Sequence, residues 1–267
     1  MSILTTHVGS LPRPKKVSDL LFKKENNEAY DQTNFDNIIS EGVVDVVKKQ
    51  LDIGIDIISD GEMSKISYAT YVKDRYTGFA GDSERNPPQD LEMVPNYMKK
   101  IAKSGGTPNY SRPCCVSEIT PKDNKDLSKD IKNLLAASHI TRHKNIFMNS
   151  ASPGVVSLFL SNSYYSTRKD YIDAIAKAMK NEYETIVNSG IKLQLDCPDL
   201  ALSRHMIFKN YSDKEFIKIA HENMRILNDT LQNIPSDMLR LHVCWGNYEG
   251  PHTHDIALEK ILPIILK

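Results

Sequence analysis

The chain lacks an excess of charge of either sign. Its 267 residues include 34 lysines and arginines and 34 aspartates and glutamates. No net field therefore recruits a nucleic acid or an anionic membrane. No apolar run approaches the roughly 20 residues that span a bilayer, and the N-terminus has no charged segment followed by an apolar one, as a signal peptide has. We expect a cytoplasmic protein that acts on small molecules.

Two further signatures are missing. No Gly-x-Gly-x-x-Gly turn opens a helix, which counts against a dinucleotide-binding fold. The cysteines show no spacing typical of a disulfide framework, so thiols or metal ligands are expected at the four positions, Cys114, Cys115, Cys197 and Cys244. The hydrophobic content of 40% and the charged content of 25% are those of an ordinary globular protein.

Short apolar runs alternate with amphipathic stretches along the whole chain. The candidate strands are residues 4–8, 55–59, 115–119, 146–149, 192–195 and 240–243, and the candidate helices are 35–52, 126–139, 168–189, 213–232 and 256–266. Strands that alternate with helices predict right-handed βαβ units and a parallel sheet. Because the dinucleotide-binding turn is missing, this pattern favours an α/β fold of the (β/α)8 TIM type, formed by residues 1–267 as a single domain.

One segment does not fit a plain strand–helix unit. Residues 74–112 form a long excursion between the second and third predicted strands, and this excursion is rich in glycine and proline. Long loops on the carboxyl side of a barrel strand are commonly lids or substrate-binding segments. We therefore predict a lid-like insertion at about 74–112, with a plain surface insertion as the alternative.

The number of predicted strands is too small for a closed barrel. Six strands use the first 244 residues, whereas a closed barrel needs eight. The prediction is a C-terminally incomplete barrel of about six of eight units, and the alternative is that two strands escape detection. Because open sheet edges are normally paired or covered, we expect either a homo-oligomer, in which another copy packs over the gap, or an aggregation-prone chain.

Polar side chains follow several predicted strands at the point where each strand ends. Ser10 follows the first strand, Asp60 and Glu62 follow the second, and Asp196 follows the fifth. The carboxyl ends of barrel strands form one face, so these side chains are expected to meet there. For a single carboxylate the alternatives are a helix N-cap, an ion pair or a turn. Their recurrence at one end of three strands favours a binding site.

The sixth predicted strand carries an imidazole and a thiol on one face. His242 and Cys244 are two residues apart, and strand side chains alternate faces, so the two point the same way, about 7 Å apart along the strand. Imidazole plus thiolate is a ligand set that suits Zn²⁺. Core packing is the alternative for so short a motif, and its place among the other polar strand ends favours a metal site.

Other polar residues are left outside the predicted site. His205 is expected at the surface, and His252 and His254 follow a Gly-Pro turn. Ser10 has no positioned His/Asp pair that indicates a nucleophilic triad. No residue is therefore assigned as a catalytic acid, base or nucleophile.

Four motifs in fixed order resemble a known family. Residues 5–14 (TTHVGSLPRP), 59–63 (SDGEM), 194–200 (QLDCPDL) and 242–244 (HVC) resemble the catalytic domain of cobalamin-independent methionine synthases, the 5-methyltetrahydropteroyltriglutamate–homocysteine S-methyltransferases. Residues 244–252 (CWGNYEGPH) are similar to a stretch of the methionine synthase II-like proteins and epoxyalkane:coenzyme M transferases. The resemblance covers essentially the whole chain and implies the same barrel.

The resemblance implies a zinc-dependent transfer of a methyl or alkyl group to a thiol, with homocysteine or a related thiol as the acceptor. Its partners would be a small-molecule thiol and an alkyl donor. The family's zinc ligands correspond to His242 and Cys244. The groups that hold the amino-acid thiol in the family correspond to Val8, Gly9, Ser10, Glu62 and Asp196. Zinc is useful in such a reaction because a free thiol, with a pKa of about 8.5, is a poor nucleophile near neutral pH.

Three departures from the family pattern qualify this expectation. The family's folate-binding arginine–cysteine pair falls on Cys114-Cys115, and no tryptophan occurs in residues 151–160. The resemblance places the remaining zinc ligands, a glutamate or equivalent and a late cysteine, beyond Lys267. Turnover of homocysteine with methyltetrahydrofolate by residues 1–267 is therefore expected to be undetectable. Two alternatives stay open: an inactive or partner-completed barrel fragment that binds a small molecule, and a metal-free barrel decarboxylase or lyase that uses Asp60, Glu62 and Asp196.

Overall fold

The computed structural model describes residues 3–83, 86–103, 111–248 and 250–266. Within them, helices α1 to α10 cover Lys15–Glu25, Gln32–Asp52, Val72–Arg75, Gln89–Glu92, Pro95–Lys103, Lys125–Thr141, Pro153–Phe159, Arg168–Asn188, Asp213–Thr230 and Leu258–Ile265. Strands β1 to β5 cover Phe79–Ala80, Cys114–Cys115, Phe147–Ala151, Lys192–Asp196 and Leu239–His242. Among these described helices, none is long and apolar enough to cross a membrane.

A parallel sheet positions the functional residues. Strands β3, β4 and β5 pair side by side in parallel. Two shorter extended segments continue the parallel arrangement beyond β3, because Ile58 bridges to Ile146 and Thr6 bridges to Ile57. The described chain therefore has five parallel strand positions, which follow one another in sequence order. A right-handed βαβ chain with helices between its strands gives this order.

The prediction of a barrel strand at residues 115–119 is wrong. Here β2, just after the excursion, pairs antiparallel with β1, which lies within it. The second and fourth predicted strands pair directly, since the Phe147 amide donates to the Ile58 carbonyl at 2.9 Å. An apolar run does not by itself distinguish a barrel strand from a strand of a small separate sheet. The predicted count of about six units is therefore too high by one, and His242 lies on the fifth parallel position of the described residues.

The five predicted helices are confirmed as α2, α6, α8, α9 and α10, with ends that differ by a few residues. In α8, the Thr167 side chain caps the helix start by accepting from the Asp170 amide. The apolar stripe of α8 faces the core and is buried throughout, at Tyr171, Ile175, Met179, Tyr183 and Ile186. Sequence reasoning did not predict α1 and α7, which are shorter. Packing of such stripes on the outer face of the sheet leaves its inner face to polar side chains.

The sheet curves strongly enough for inward side chains to reach across it. Gln194 on β4 donates from Nε2 to the Val8 carbonyl, and Arg240 on β5 donates from Nη1 to Thr6 Oγ1 at 3.2 Å. The Arg240 guanidinium also lies 4.0 Å from the centre of the Phe147 ring. The first strand position therefore lies opposite β4 and β5. This curvature brings the carboxyl ends of the strands together.

A buried ionic network ties three helices to the outer face of β3. Arg75 Nη1 lies 2.7 Å from Glu182 Oε2, and Arg75 Nη2 lies 2.5 Å from Asp130 Oδ2. Glu182 also accepts hydrogen bonds from the hydroxyls of Tyr71 and Ser150, at 2.6 and 2.7 Å. Burial alone raises the pKa of Glu182, but the Arg75 charge and these hydrogen bonds outweigh it and lower the pKa. The network stabilises the wall of the sheet on which the site is built.

Candidate functional site

The ends of β4 and β5 bring a carboxylate and an imidazole together. Asp196 and His242 are register partners in neighbouring parallel strands, so their side chains leave the sheet on the same face. His242 Nδ1 lies 2.9 Å from Asp196 Oδ1. The Asp196 side chain is only 4% exposed, whereas that of His242 is 25% exposed. Asp196 therefore fixes the imidazole and leaves Nε2 as the nitrogen available to a ligand.

The thiol of Cys244 lies beside this imidazole. Burial alone lowers the pKa of His242, but hydrogen bonds with Asp196 and Cys244 outweigh it and raise the pKa to about 9. Burial alone raises the pKa of Cys244, but hydrogen bonds from His242 and from the Gly246 amide lower it below its usual value. The Gly246 amide nitrogen is 3.1 Å from Cys244 Sγ. Each of the two groups thus favours the charged form of the other.

The loop after the second strand position presents Glu62 to Ser10. Ser10 Oγ donates to Glu62 Oε2 at 2.8 Å. Glu62 has a φ of 55°, in the left-handed region that residues other than glycine rarely adopt. Two contacts hold this backbone: Asp60 Oδ1 accepts from the Glu62 amide at 2.9 Å, and Arg13 Nη2 donates to the carbonyls of Glu62 and Lys65 at 2.9 and 2.7 Å. Such strain persists where surrounding contacts enforce it, and it is common at functional sites.

The Glu62 carboxyl group is poised to exchange a proton near neutral pH. Burial raises the pKa of Glu62 to about 7, with the charges of Asp196 and Asp60 adding to the effect and that of Lys65 opposing it. Two carboxylates that share a small buried space do not ionise together easily. The repulsion from Asp196 therefore adds to the cost of ionising Glu62, and the Lys65 charge offsets part of that cost.

Two amide side chains that sequence reasoning missed join the parts of the site. Asn149 Nδ2 donates to the Val8 carbonyl at 3.1 Å and to Asp196 Oδ2 at 3.0 Å. Gln194 Nε2 donates to the same carbonyl and to Asp196 Oδ1 at 2.9 Å. Strand periodicity was the available signal, because Gln194 lies two residues before Asp196 on the same face. These amides fix the Asp196 carboxylate against the first strand position.

A larger residue at Gly9 would displace two side chains of the site. A Cβ atom at this position would lie 2.5 Å from Glu62 Oε1 and 2.9 Å from Asn149 Nδ2. The missing side chain therefore allows the first strand position to approach both polar groups closely. The structure thus brings Gly9 and Ser10 to Glu62 and the Val8 carbonyl to the amides of Asn149 and Gln194, whereas the Val8 side chain itself is exposed.

His205, His252 and His254 have carboxylate partners outside this group, Asp255 for the first two and Asp90 for the third. Asp90, on α4 of the excursion, accepts from the amides of Thr253 and His254 at 2.9 and 3.1 Å and from His254 Nδ1 at 2.6 Å. These contacts attach the excursion to the segment after β5; residues 84–85 and 104–110 of the predicted lid lie outside the described residues. His205 is fully buried, so its predicted surface position is wrong. His252 is exposed.

The donor atoms present fit part of a zinc site. His242 and Cys244 supply imidazole nitrogen and thiolate sulfur, both of which bind zinc well. The contact of Asp196 with His242 Nδ1 is the outer contact that orients a metal-bound histidine in many proteins. In the part of the chain that the structure describes, no group of three or more histidine, cysteine, aspartate or glutamate side chains is arranged to hold a metal ion. The described residues thus offer two of the three protein ligands usual for catalytic zinc.

The fold and site define an α/β protein with a polar cluster at the carboxyl ends of parallel strands. Residues 3–257 match the family described as "Cobalamin-independent synthase, Catalytic domain". The chain belongs to this family, and the membership predicted from the motifs is confirmed.

Named relatives and a solved structure agree with this assignment. The chain is 24% identical over 260 residues to a methionine synthase of Sulfolobus acidocaldarius and 22% identical over 260 residues to one of Saccharolobus islandicus, in each case over 96% of its own length. It spans about two thirds of these curated relatives, 66% and 68% of their lengths.

The structure of a B12-independent methionine synthase from Shewanella sp. W3-18-1, in complex with selenomethionine, superimposes with a TM-score of 0.65 at 18% identity. The match covers 92% of this chain and 63% of that one. This likeness shows a shared fold.

Proposed function

We propose that the chain binds an amino-acid thiol, homocysteine or a close relative, and takes part in the zinc-dependent transfer of a methyl or alkyl group to its sulfur. The observation that carries this proposal is the continuous cluster from Ser10 and Glu62 through Asp196 to His242 and Cys244. One end of the cluster suits a cationic group, and the other end suits a metal-bound sulfur.

The imidazole–thiolate end of the cluster receives the reacting sulfur. Zinc held by His242 Nε2 and Cys244 Sγ would supply the positive charge that keeps a bound thiol ionised near neutral pH. Asp196 holds the imidazole through Nδ1 at 2.9 Å, and His242 must release its proton before it can act as a ligand. In the transfer, a sulfur lone pair forms the new carbon–sulfur bond, and the leaving group of the donor departs with the electrons of the bond that breaks.

The carboxylate end binds the ammonium group of the amino acid. Glu62 and Asp196 are both buried, and the electrostatic repulsion between them contributes to the raised pKa of Glu62. A ligand ammonium group relieves this repulsion because it places a positive charge between the two carboxylates. Ser10 keeps Glu62 oriented through the 2.8 Å hydrogen bond. We assign the binding of the amino-acid group to Val8, Gly9, Ser10, Glu62 and Asp196.

The proposal extends to the architecture around the site. The five curved parallel strand positions and the shared fold of the Shewanella enzyme support a (β/α)8 TIM-type barrel in this family. The attachment of Asp90 to Thr253 and His254 supports a lid role for the excursion, because it brings α4 next to the segment that follows the metal-ligand strand.

Zinc titration of a matched pair of variants tests the metal assignment. We expect the apo protein to bind one zinc ion and Cys244→Ser to weaken this binding at least about 10-fold, since a ligand is lost. Cys114→Ser is the control, because Cys114 is also half-buried but contacts Ser163 instead. An unchanged zinc affinity in Cys244→Ser would show that the ligands are wrong.

Alkylation of homocysteine by a simple electrophile, methyl iodide or 1,2-epoxypropane, tests the chemistry. Mass spectrometry should detect product faster with the zinc-loaded protein than with buffer containing zinc, and a chelator should remove the difference. A rate enhancement that survives the chelator would contradict the zinc-dependent reaction.

The raised pKa of Glu62 favours one second candidate. A carboxyl group with a pKa of about 7 suits a general acid or base at neutral pH, as a metal-free decarboxylase or lyase requires. Asp60 is less suited to this role because its Oδ1 already accepts the Glu62 amide. Chelator-resistant release of carbon dioxide from a carboxylic acid substrate would favour this candidate over thiol alkylation.

A further inference from the structure

Asn149 carries a buried acceptor atom that has no hydrogen-bond partner among the described residues. The residue is 2% exposed, and its Oδ1 atom is buried without a hydrogen bond. Buried polar atoms are nearly always paired, because an unpaired one loses its interaction with water and gains nothing in return. The unpaired oxygen is therefore open to a donor from outside the described chain, a ligand or a buried water.

The orientation of this amide is fixed by its neighbours. Asn149 Nδ2 lies 3.1 Å from the Val8 carbonyl and 3.0 Å from Asp196 Oδ2. A carbonyl and a carboxylate oxygen accept hydrogen bonds, so the NH₂ group faces them. Exchange of the amide oxygen and nitrogen would oppose acceptor to acceptor. The unpaired atom is therefore the oxygen.

The acceptors of the site converge around this amide. The position of a Cβ atom on Gly9 lies within 2.5 Å of Glu62 Oε1 and 2.9 Å of Asn149 Nδ2, so the carboxylate of Glu62 lies close to the Asn149 side chain. Asp196 accepts from Nδ2 of the same amide. The Glu62 and Asp196 carboxylates thus lie beside the Asn149 side chain, and together with the unpaired Oδ1 they supply three acceptor groups, as many as the N–H donors of a primary ammonium group.

We propose that Asn149 Oδ1 binds the ammonium group of the amino-acid substrate and thereby selects an amino acid over a thiol without the amino group. This inference rests on the proposed function, because it names a further contact of the same site. A site built to hydrogen-bond a polar group rejects an analogue without that group, since its own buried atoms then stay unpaired. Asn149 is a binding residue in this account, not an acid or a base.

The test compares two ligands and two variants by isothermal titration calorimetry. The ligands are L-methionine and 4-(methylthio)butanoic acid, which lacks the amino group. The variants are Asn149→Ala and Gln194→Ala. Gln194 is the matched control because its amide donates to the same Val8 carbonyl and to the same Asp196 carboxylate, yet it has no orphaned buried atom in the described chain.

We expect the wild-type protein to prefer L-methionine. Asn149→Ala should reduce this preference at least about 10-fold, as expected for a lost hydrogen bond to a charged group, whereas Gln194→Ala should weaken both ligands alike. If Asn149→Ala does not fold, as judged by circular dichroism, Asn149→Ser replaces it. The shorter serine hydroxyl should give a preference for L-methionine between those expected for the wild type and for Asn149→Ala.

Two results would overturn the inference, and they differ in what else they refute. If the wild type prefers L-methionine and the two alanine variants change that preference equally, Asn149 does not bind the ammonium group, while the proposed function stands. If the wild type binds neither ligand, or binds both equally well, the proposed amino-acid site is wrong and the inference fails with it.

Discussion

Replacement of Gly9 by alanine tests how tightly the site is packed. The new Cβ atom would lie 2.5 Å from Glu62 Oε1 and 2.9 Å from Asn149 Nδ2, whereas ordinary contacts to carbon are about 3.5 Å or longer. Gly9 does not have a positive φ, so the cost comes from these contacts and not from the backbone. Both opposing atoms are ends of side chains and must move by about 1 Å. Glu62 cannot follow with its backbone, because Arg13 holds its carbonyl.

The expected magnitude follows from this geometry. Overpacking of this kind costs about 1–3 kcal/mol, and for chains of 150–250 residues each kcal/mol lowers Tm by about 2–4 °C. We expect Gly9→Ala to fold with a Tm lower by a few degrees to about 10 °C and to lose most affinity for L-methionine. Ser10→Ala is the control for stability, since within the protein it removes the hydrogen bond to Glu62, worth about 1 kcal/mol, without adding an atom. Differential scanning calorimetry and titration calorimetry measure the two quantities. Wild-type affinity in Gly9→Ala would refute the close packing of the site.

Three further changes have defined outcomes. The raised pKa of Glu62 means that the folded state binds the Glu62 proton more tightly than the unfolded state does. Binding of this proton therefore stabilises the fold below about pH 4.5, and this stabilisation is lost as pH rises through about 7. The Tm of Glu62→Gln should therefore exceed that of the wild type by more at pH 8 than at pH 5. An equal difference in Tm at the two pH values would contradict the raised pKa. Glu182→Gln should lower the free energy of unfolding in urea by about 3 kcal/mol, because it leaves buried Arg75 with one partner fewer; a loss below about 1 kcal/mol would count against the network. Asp90→Asn should speed amide exchange in the segment after β5, which Asp90 holds; unchanged exchange would argue against the attachment.

The helices were predictable because their signals are local. The stripe of α8 repeats at three- and four-residue spacing and is buried as predicted. Gly54 and Gly190 lie just after the ends of α2 and α8, and both have a φ of 84°, the left-handed conformation that glycine adopts most easily. These features depend on neighbours in sequence and need no knowledge of the tertiary structure.

The strand order was harder to predict because pairing is a long-range property. Residues 115–119 have the composition of a buried strand, yet β2 pairs with β1 across the excursion. The direct contact of Ile58 with Ile146 depends on where the excursion leaves the sheet. Periodicity carries no information on which of two apolar runs pairs with a given strand of the sheet.

The site was only partly predictable from sequence. Chemically distinctive residues such as Glu62 and His242 stood out at the ends of predicted strands. Asn149 and Gln194 did not, because amide side chains are common on many surfaces and their role here follows from a shared acceptor, the Val8 carbonyl. The left-handed backbone of Glu62 is likewise enforced by tertiary contacts.

Zinc K-edge X-ray absorption of the zinc-loaded protein, recorded with and without L-homocysteine, tests the central claim most directly. The account predicts zinc bound by one imidazole and the Cys244 sulfur, with homocysteine adding a second sulfur at about 2.3 Å. Cys244→Ser should remove one sulfur from both spectra. Zinc coordination that does not change on addition of homocysteine would contradict the assignment of this cluster to thiol activation.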